Sequence, residues 1–358
     1  MPLHTPSATL ALLNDYQHGF PLCDAPFAAI AQQNGLVAEA VLAQYQGLLA
    51  EGRISRIGPV FAPQRVGAST LAAISVPPAQ LAQAAAKVSA HPEVNHNYER
   101  EHTYNLWFVV AAPTQQRLDT VLDSIEAECQ TAVLRLPLVE QYHIDLGFSL
   151  HAGAAKTRAA PAQQAASPLT EQDRTLIGAM QSGLALCTRP YEALAHTVGS
   201  TQDAVLQRIA DWLADGTLKR FGVVLRHHEL GYTANAMVVH DIPDTLVSEL
   251  GQRLGQHPGV TLCYRRPRVE GQWRYNLFCM VHGRERTQVE QQIAELRSSF
   301  ALQDYPHAVL FSRERFKQQG ARYAPCTVDS VSKSFVARFD AADSAQARQG
   351  EATTPQAV

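Results

Sequence analysis

The sequence predicts an α+β fold made of two tandem copies of one unit, each a winged helix-turn-helix followed by a ferredoxin-like βαββαβ domain. The first observation is an internal repeat, because the two halves of the 358-residue chain align on each other. The second is the order of patterns in each half, where helical periodicity comes first and alternating strands and helices follow. The third is length, since about 150 residues per copy is the size of a domain.

Short motifs recur at matching places in the two halves, which we call copy one and copy two. The matched segments are Leu22–Phe27 with Leu186–Tyr191, Ala50–Gly58 with Ala214–Gly222, and Tyr104–Leu106 with Tyr275–Leu277. Copy two carries extra residues around Glu270–Gln272, which lengthen the segment before its Tyr-Asn-Leu motif. The protein is therefore predicted to be a diverged duplication.

Composition places the boundaries between the predicted domains. The stretch between the copies is rich in Ala, Pro and Gln, which is typical of a flexible linker. The C-terminal stretch is rich in Ala, Ser, Asp and Gln and is predicted to be disordered. The predicted segments are a helix-turn-helix at 1–62, a ferredoxin-like domain at 63–150, a linker at 151–168, a second helix-turn-helix at 169–226, a second ferredoxin-like domain at 227–325 and a tail at 326–358.

The helical part of a copy is predicted most clearly in copy two. Thr170 and Asp173 have the spacing of a capping box, and Pro190 suits the first turn of a second helix. A third helix over Thr201–Leu213 has apolar residues at four-residue steps. The strand Leu218–Leu225 follows it, so a helix-turn-helix with a wing is expected.

The second part of each copy alternates strands with amphipathic helices. In copy one the predicted elements are strand Leu71–Val76, helix Ala79–Ser89, strands Val94–Tyr98 and Tyr104–Ala111, helix Leu118–Cys129 and strand Ala132–Pro137. In copy two they are strand Ala236–Val239, helix Asp244–Gln256, strands Val260–Tyr264 and Tyr275–Val281, helix Arg286–Ser298 and strand Ala308–Phe311. This order is the ferredoxin-like βαββαβ unit.

Charge and composition exclude several classes of protein. The formal net charge is −3, which gives no general electrostatic reason to bind nucleic acid. No apolar run reaches the roughly 18 to 20 residues of a membrane span, and the N-terminus lacks the basic start of a signal peptide. Cys23, Cys187, Cys263 and Cys279 lie in apolar segments and are predicted to be reduced core residues of a cytoplasmic protein.

The candidate recognition helices are poorly suited to DNA. A recognition helix needs Arg, Lys, Asn or Gln facing the groove and basic residues for the phosphates. Val37–Leu49 contains Glu39 and no Lys or Arg, and Thr201–Leu213 offers only Arg208 against two aspartates. We therefore predict no sequence-specific binding to duplex DNA and assign these helices to dimer or pseudo-dimer packing.

The stretch Val260–Gly283 concentrates basic and aromatic side chains before an alternating strand. It contains Arg265, Arg266 and Arg268, with Tyr264, Trp273 and Tyr275 on either side. A weaker version, Val94–Ala112, stands at the matching place in copy one. Three neighbouring arginines are more often a solvated turn, but the flanking aromatic residues and the repeat favour a binding site.

These motifs also carry a resemblance to known families. A winged helix-turn-helix followed by a βαββαβ domain resembles the Lrp/AsnC regulators. The segments LCTRPYEALA, GTLKRFGVVLRHHELGYTANAMVV, CYRRPRVEGQWRYNLFCMVHG and HNYEREHTYNLWFVV resemble the sirohaem decarboxylases of haem d1 synthesis, in their fused two-subunit form. The resemblance covers nearly all of residues 10–325. It implies a carboxy-lyase that removes the two acetate carboxyls on the C and D rings of sirohaem, with no added cofactor.

A site for such a substrate needs cations for its carboxylates and apolar walls for its macrocycle. We expect the substrate-binding residues to be Arg226, Arg265, Arg266, Arg268, Tyr264, Trp273 and Tyr275 of copy two, and Arg100, His102 and Tyr104 of copy one. Arg226 directly precedes a histidine pair, and Tyr104 and Tyr275 are equally compatible with a place in the core.

The reaction needs a positioned proton donor, and histidine is the natural candidate. The candidates are His227 and His228 in copy two and His96, His102 and His143 in copy one, and we predict catalytic roles for His96, His227 and His228. A neutral imidazole from the same three residues is an alternative ligand for the sirohaem iron. Copy one has Ala62-Pro63-Gln64 where copy two has Arg226-His227-His228, so we expect one competent pocket, formed mainly by copy two.

Two other functions fit parts of the pattern. A ligand-sensing Lrp/AsnC-like regulator has the same fold, although the recognition helices argue against it. A non-catalytic tetrapyrrole carrier has the same arginines and histidines. A homodimer and a handover of the product to a downstream enzyme of haem d1 synthesis are compatible with the resemblance.

Overall fold

The structure is a computed structural model that describes residues 6–144, 168–226 and 231–324. These residues form two compact units. Of the described residues, the helical unit comprises 6–60, 168–223 and 324, and the sheet unit comprises 61–144, 224–226 and 231–323. Each unit therefore takes one part from each copy. Apart from Pro168, the predicted linker and tail lie outside the described residues.

The predicted helices and strands follow one another in the predicted order, with a short helix at Pro63–Val66 and a strand at Glu140–Ile144 in addition. The described helices are α1 Pro6–Asn14, α2 Pro26–Asn34, α3 Ala38–Ala50, α4 Pro63–Val66, α5 Leu81–Ala90, α6 Gln115–Cys129, α7 Glu171–Met180, α8 Pro190–Thr197, α9 Gln202–Ala214, α10 Val247–Gly255 and α11 Arg286–Ser299. The described strands are β1 Ile54–Phe61, β2 Ala68–Ile74, β3 Val94–Arg100, β4 Leu106–Ala112, β5 Leu134–Pro137, β6 Glu140–Ile144, β7 Leu218–Leu225, β8 Ala234–His240, β9 Leu262–Arg265, β10 Leu277–Gly283 and β11 His307–Gln318. The α+β fold class with its duplicated halves is confirmed.

The helical unit begins its helices as the sequence predicts. The Thr170 hydroxyl accepts from the Asp173 N–H at 3.1 Å, and the Asp173 carboxylate accepts from the Thr170 N–H at 2.8 Å. These two bonds complete the predicted capping box of α7. Thr201 caps α9 by accepting from the Ala204 N–H, and Pro190 opens α8.

The two copies interlock within the helical unit. Strands β1 and β7 pair in a two-stranded sheet. The Val223 N–H donates to the Tyr16 carbonyl at 2.8 Å, and Arg220 donates to the Gln17 carbonyl at 2.6 Å. A Cβ on Gly222 would collide with these same two carbonyls, so the close approach requires glycine. The wing strand of copy two thus lies against the segment after α1 of copy one.

The sheet unit exchanges strands between the copies. Its described strands form one sheet in the order β5-β2-β4-β3-β11-β8-β10-β9-β6. The first half of β11 pairs with β8 of its own copy, and the second half pairs with β3 of copy one. In return, β6 of copy one pairs with β9 of copy two. Strands β5 and β6 are separated only by Leu138 and Val139, so the copies are joined at both edges.

Helices cover one face of each half of the sheet, and the opposite faces meet in a shared core. The shared core contains Leu71, Ala73, Trp107, Leu134 and Leu136 of copy one and Met237, Val239, Tyr264, Trp273, Phe278, Met280 and Leu310 of copy two. Tyr104 and Tyr275 pack against it. The inner faces of both βαββαβ domains are therefore part of one hydrophobic interior.

The exchanged strands are where the sequence-based prediction was wrong. Strand β6 was not predicted, and β11 extends to Gln318 rather than ending at Phe311. Both are stabilised by backbone pairing with the other copy, which local alternation does not reveal. Cys187, Cys263 and Cys279 are buried as expected, whereas Cys23 is partly exposed. Among the described helices, none combines the length and apolar character that a membrane crossing requires.

Candidate active site

Two arginines occupy matching positions in the two copies and reach across the shared core. Arg266 follows β9 and donates from Nη1 to the carbonyl oxygen of Leu136, in the other copy. Arg100 ends β3 and donates from Nη1 to the Leu310 carbonyl at 3.0 Å, again in the other copy. Each guanidinium also lies over a tyrosine of its own strand, Arg266 at 4.6 Å from the Tyr264 ring and Arg100 at 5.8 Å from the Tyr98 ring.

Neither of these guanidinium groups has a carboxylate partner within the described parts of the chain. Both side chains are only 9% exposed. Burial lowers the pKa of Arg100 and of Arg266, because it disfavours the charged form. An arginine is almost never buried without an anionic partner, because removing its charge from water costs on the order of several kcal/mol per ion. The shared core therefore holds positive charge that an anionic ligand can neutralise.

The other two arginines of the triplet are neutralised by protein carboxylates. Arg265 pairs with Glu140 at 3.1 Å and with Asp244 at 2.9 Å. Arg268 pairs with Asp241 at 2.8 Å and with Asp244 at 3.0 Å. Burial acts to raise the pKa of Asp241, but hydrogen bonds from Arg268 and Arg274 outweigh it and the pKa is lowered. Arg266 is thus the member of the triplet whose charge faces the shared core without a carboxylate.

An aromatic cluster brings together predicted residues of both copies. The Trp273 ring centroid lies 5.0 Å from Tyr275, 5.4 Å from His102 and 6.1 Å from Tyr104. The His102 and Tyr104 rings are stacked, with an angle of 12° between their planes. Phe278 connects this cluster to the arginines, since its ring lies 5.7 Å from Tyr264 and 6.1 Å from Trp273. Copy one therefore contributes to the same aromatic wall as copy two.

His102 has a defined hydrogen-bonding state. Its Nδ1 accepts from the Tyr104 N–H at 3.1 Å. A neutral imidazole that accepts at Nδ1 carries its proton on Nε2. Burial lowers the pKa of His102, which favours this neutral form. His102 is therefore arranged to donate from Nε2.

The chain matches two family profiles, each of them twice. The profile of the AsnC-like ligand binding domain matches residues 65–143 and 229–317. The profile of the sirohaem decarboxylase NirDL-like helix-turn-helix domain matches residues 10–54 and 173–218. The sirohaem decarboxylase NirDL subunit of Paracoccus denitrificans (strain Pd 1222) is 42% identical over 315 residues, 88% of this chain and 97% of the relative. The chain belongs to the sirohaem decarboxylase family.

Two further relatives connect this family to the duplicated fold. The sirohaem decarboxylase NirL subunit of Stutzerimonas stutzeri is 54% identical over 146 residues, 41% of this chain and 86% of that subunit. The crystal structure of the sirohaem decarboxylase NirDL in complex with an iron-uroporphyrin III analogue matches with a TM-score of 0.65 and 26% identity, over 95% of this chain and 99% of that one. Single-copy and fused members of the sirohaem decarboxylase family are thus both similar to this chain.

Of the remaining predicted site residues, the structure describes some and not others. His96 lies in β3, half-buried, with its ring stacked on Tyr98 at 6.2 Å. Arg226 is half-buried and its Nε has no hydrogen-bond partner among the described residues. His227 and His228, the other predicted catalytic residues of this sirohaem decarboxylase family member, lie outside the described residues.

The sequence did not identify Tyr98 as a site residue. It also did not distinguish Arg266, which has no carboxylate partner among the described residues, from Arg265 and Arg268. Tyr98 was detectable, because it aligns with Tyr264 in the repeat. The distinction between Arg266 and its neighbours was not, because the carboxylates Asp241 and Asp244 belong to a different part of copy two and Glu140 belongs to copy one.

Proposed function

We propose that this chain is a carboxy-lyase that removes the two acetate carboxyls of sirohaem, on its C and D rings, to give didecarboxysirohaem, with no added cofactor. The observation that carries the proposal is the pair of buried guanidinium groups, Arg100 and Arg266, inside a core that both copies line. Membership of the sirohaem decarboxylase family supports it.

The chemistry of the shared core suits this substrate. Sirohaem has carboxylates around the rim of a wide apolar macrocycle. A guanidinium binds a carboxylate through two parallel hydrogen bonds, and aromatic rings pack well on a planar macrocycle. Arg100 and Arg266 supply the cations, and Tyr264, Trp273 and Tyr275 supply the aromatic surface.

The reaction replaces a carboxylate by a proton. Breaking the bond between the acetate methylene and its carboxylate releases carbon dioxide and leaves an electron pair. The conjugated macrocycle accepts that pair once a ring carbon beside the acetate is protonated. The exocyclic methylene then gains a proton to become the new methyl group, and the ring carbon gives up the proton that it had taken up. A positioned proton donor typically contributes about 10²- to 10⁴-fold in rate. The chain must therefore place a donor near each acetate and hold the remaining carboxylates by cations.

Histidines are the proposed donors. We assign this role to His96, His227 and His228, with ligation of the sirohaem iron as the alternative role for one of them. His102 is a substrate-binding donor in this scheme, because its Nε2 carries the proton. If copy two forms the main competent pocket, then His228→Ala abolishes turnover of sirohaem while His96→Ala reduces it less. Equal and mild effects of the two substitutions would contradict the asymmetry.

The remaining substrate-binding assignments are part of the same proposal. Arg226, Arg265, Arg268 and Tyr104 stay predicted contacts, with Arg265 and Arg268 acting from within their ion pairs. The cytoplasmic location, a homodimer and handover of the product to a downstream enzyme of haem d1 synthesis also stay predictions.

The mass of the tetrapyrrole after anaerobic incubation tests the proposal. Purified protein and sirohaem alone are expected to yield a product that has lost two carbon dioxide equivalents. Sirohaem that binds with its mass unchanged would instead identify a tetrapyrrole carrier. Sirohaem that neither binds nor reacts, together with promoter binding, would favour the regulator.

A further inference from the structure

Trp273 carries a buried hydrogen-bond donor that the described residues leave without an acceptor. Its side chain is 2% exposed and lies in the shared core. Its Nε1 has no hydrogen-bond partner among the described residues. A buried tryptophan N–H usually finds a partner, and leaving it unsatisfied destabilises the fold.

Trp107 provides a direct comparison in the same core. It is also 2% exposed, and the two indole centroids are 5.1 Å apart. The Trp107 Nε1–H donates to the Tyr104 carbonyl at 2.6 Å. The Tyr104 carbonyl therefore serves as the acceptor for Trp107, whereas Trp273 has no such acceptor among the described residues.

The segment that carries Trp273 is specific to copy two. Between β9 and β10 the chain runs from 266 to 276, whereas the matching connection between β3 and β4 in copy one runs only from 101 to 105. The longer segment forms a small hairpin in which Val269 and Trp273 exchange backbone hydrogen bonds at 2.8 and 2.7 Å. Gly271 makes its turn with a φ of 70°.

Ion pairs hold the base of this hairpin in place. Arg268 and Arg274, on either side of the Val269–Trp273 bridge, both pair with Asp241, at 2.8 and 3.0 Å. The hairpin therefore aims Trp273 into the shared core from a fixed base. A backbone held this firmly is suited to presenting a side chain to a ligand.

Two polar side chains that share the core with Trp273 are hydrogen-bond donors. His102, 5.4 Å away, is arranged to donate from Nε2. The guanidinium of Arg266 lies beyond Phe278 and Tyr264 in the same core, without a carboxylate. A ligand with several anionic acceptors would bind well in a core that holds the Trp273 N–H, the His102 Nε2–H and the Arg266 guanidinium.

We propose that the Trp273 Nε1–H donates a hydrogen bond to a carboxylate of the bound tetrapyrrole, which makes Trp273 a specificity-determining residue of copy two. This inference rests on the proposed function. The carboxylate supplies the acceptor that the Trp273 Nε1–H lacks among the described residues. Copy one, which lacks the hairpin, makes no equivalent contact.

Replacing each tryptophan by phenylalanine separates this role from packing. Both substitutions remove an N–H and the same volume from the same core. Trp273→Phe is expected to lower the urea midpoint of unfolding less than Trp107→Phe does, because both variants lose the same packing but only Trp107 loses a hydrogen bond made within the protein. Its Kd for sirohaem, measured by absorbance titration under anaerobic conditions, is expected to rise about 10- to 100-fold, since a hydrogen bond to a charged group contributes about 1.5–3 kcal/mol.

Trp107→Phe is the matched control. It is expected to lower the urea midpoint, because it leaves the Tyr104 carbonyl unsatisfied, and to change the Kd less than about 3-fold. The inference is overturned if Trp273→Phe binds sirohaem as tightly as the unsubstituted protein, or if it loses stability as Trp107→Phe does. If the unsubstituted protein itself fails to bind sirohaem, the proposed function is what fails.

Discussion

Arg266 of copy two donates its hydrogen bond to the backbone carbonyl of Leu136 in copy one, not to a carboxylate. The repeat places Arg100 in the same relationship to Leu310, at 3.0 Å. A carbonyl satisfies the donor and leaves the charge uncompensated. The two copies thus build a symmetric pair of buried cations, and this is the feature that distinguishes the shared core from an ordinary dimer-like interface.

The helix-turn-helix portions are expected not to bind duplex DNA. Arg208 is held by Asp173 through two hydrogen bonds of 2.7 Å, and its guanidinium lies 5.3 Å from the Trp212 ring. The remaining acidic residues of α9 repel phosphate. An electrophoretic shift assay at low salt is expected to show no complex at nanomolar protein. A shift that weakens steeply with added salt would contradict this.

Two helical glycines are expected to respond in opposite ways to alanine. A Cβ on Gly47 in α3 meets nothing within 4 Å, so Gly47→Ala should stabilise the protein by about 0.5–1 kcal/mol through the backbone entropy of the unfolded chain. A Cβ on Gly251 in α10 would collide with the ring of Tyr142, from the exchanged strand β6. Gly251→Ala should therefore destabilise by about 1–3 kcal/mol.

Urea denaturation of the two glycine variants measures both effects. The pair controls for helix propensity, because both substitutions add the same methyl group to a helix. If Gly251→Ala stabilises the protein as much as Gly47→Ala, then Tyr142 does not pack on α10 and the exchange of β6 is wrong.

His240 is expected to make the protein less stable in mild acid. Its pKa is lowered to about 3 by burial, by the stacked His307 and by Arg297. In the unfolded chain the pKa of a histidine is about 6.5. Between these two pKa values the unfolded state therefore binds one proton more than the folded state. Stability therefore falls as the pH drops below the unfolded value, by at most about 1.4 kcal/mol per pH unit.

His240→Ile provides the measurement for this pH dependence. Copy one already has Ile74 at the matching position, since Ile74 pairs with Leu106 as His240 pairs with Leu277. The difference in unfolding free energy between the variant and the unsubstituted protein should grow as the pH falls from neutral to about 4. A difference that is constant with pH would show that His240 is not the group responsible.

Most of the fold was predictable because the signals are local. The capping box at Thr170 and the helix-opening Pro190 depend on a few neighbouring residues, and the repeat doubled the evidence for each element. Strand β6 was not predictable, because its partner β9 is in the other copy. The difference between Arg266 and Arg268 was hidden for another reason, because it depends on the tertiary contacts of Arg268 with Asp241 and Asp244.

The candidate site was predictable by residue type but not by charge balance. The sequence brought Arg100, His102 and Trp273 to attention as basic and aromatic residues in a repeated element. Which arginine is neutralised depends on where Asp241 and Asp244 fold, and that is decided by tertiary structure.

The affinity of the arginine variants for sirohaem tests the central claim most directly. Arg100→Met and Arg266→Met are compared with Arg56→Met. The Arg56 side chain is half-buried in the helical unit, and its guanidinium donates to the Pro59 carbonyl. Anaerobic absorbance titration is expected to show a Kd raised about 10- to 100-fold for each of the first two and nearly unchanged for the third, as a lost charge-assisted contact predicts. Unchanged affinity in both Arg100→Met and Arg266→Met, with each variant still folded, would contradict a substrate site in the shared core.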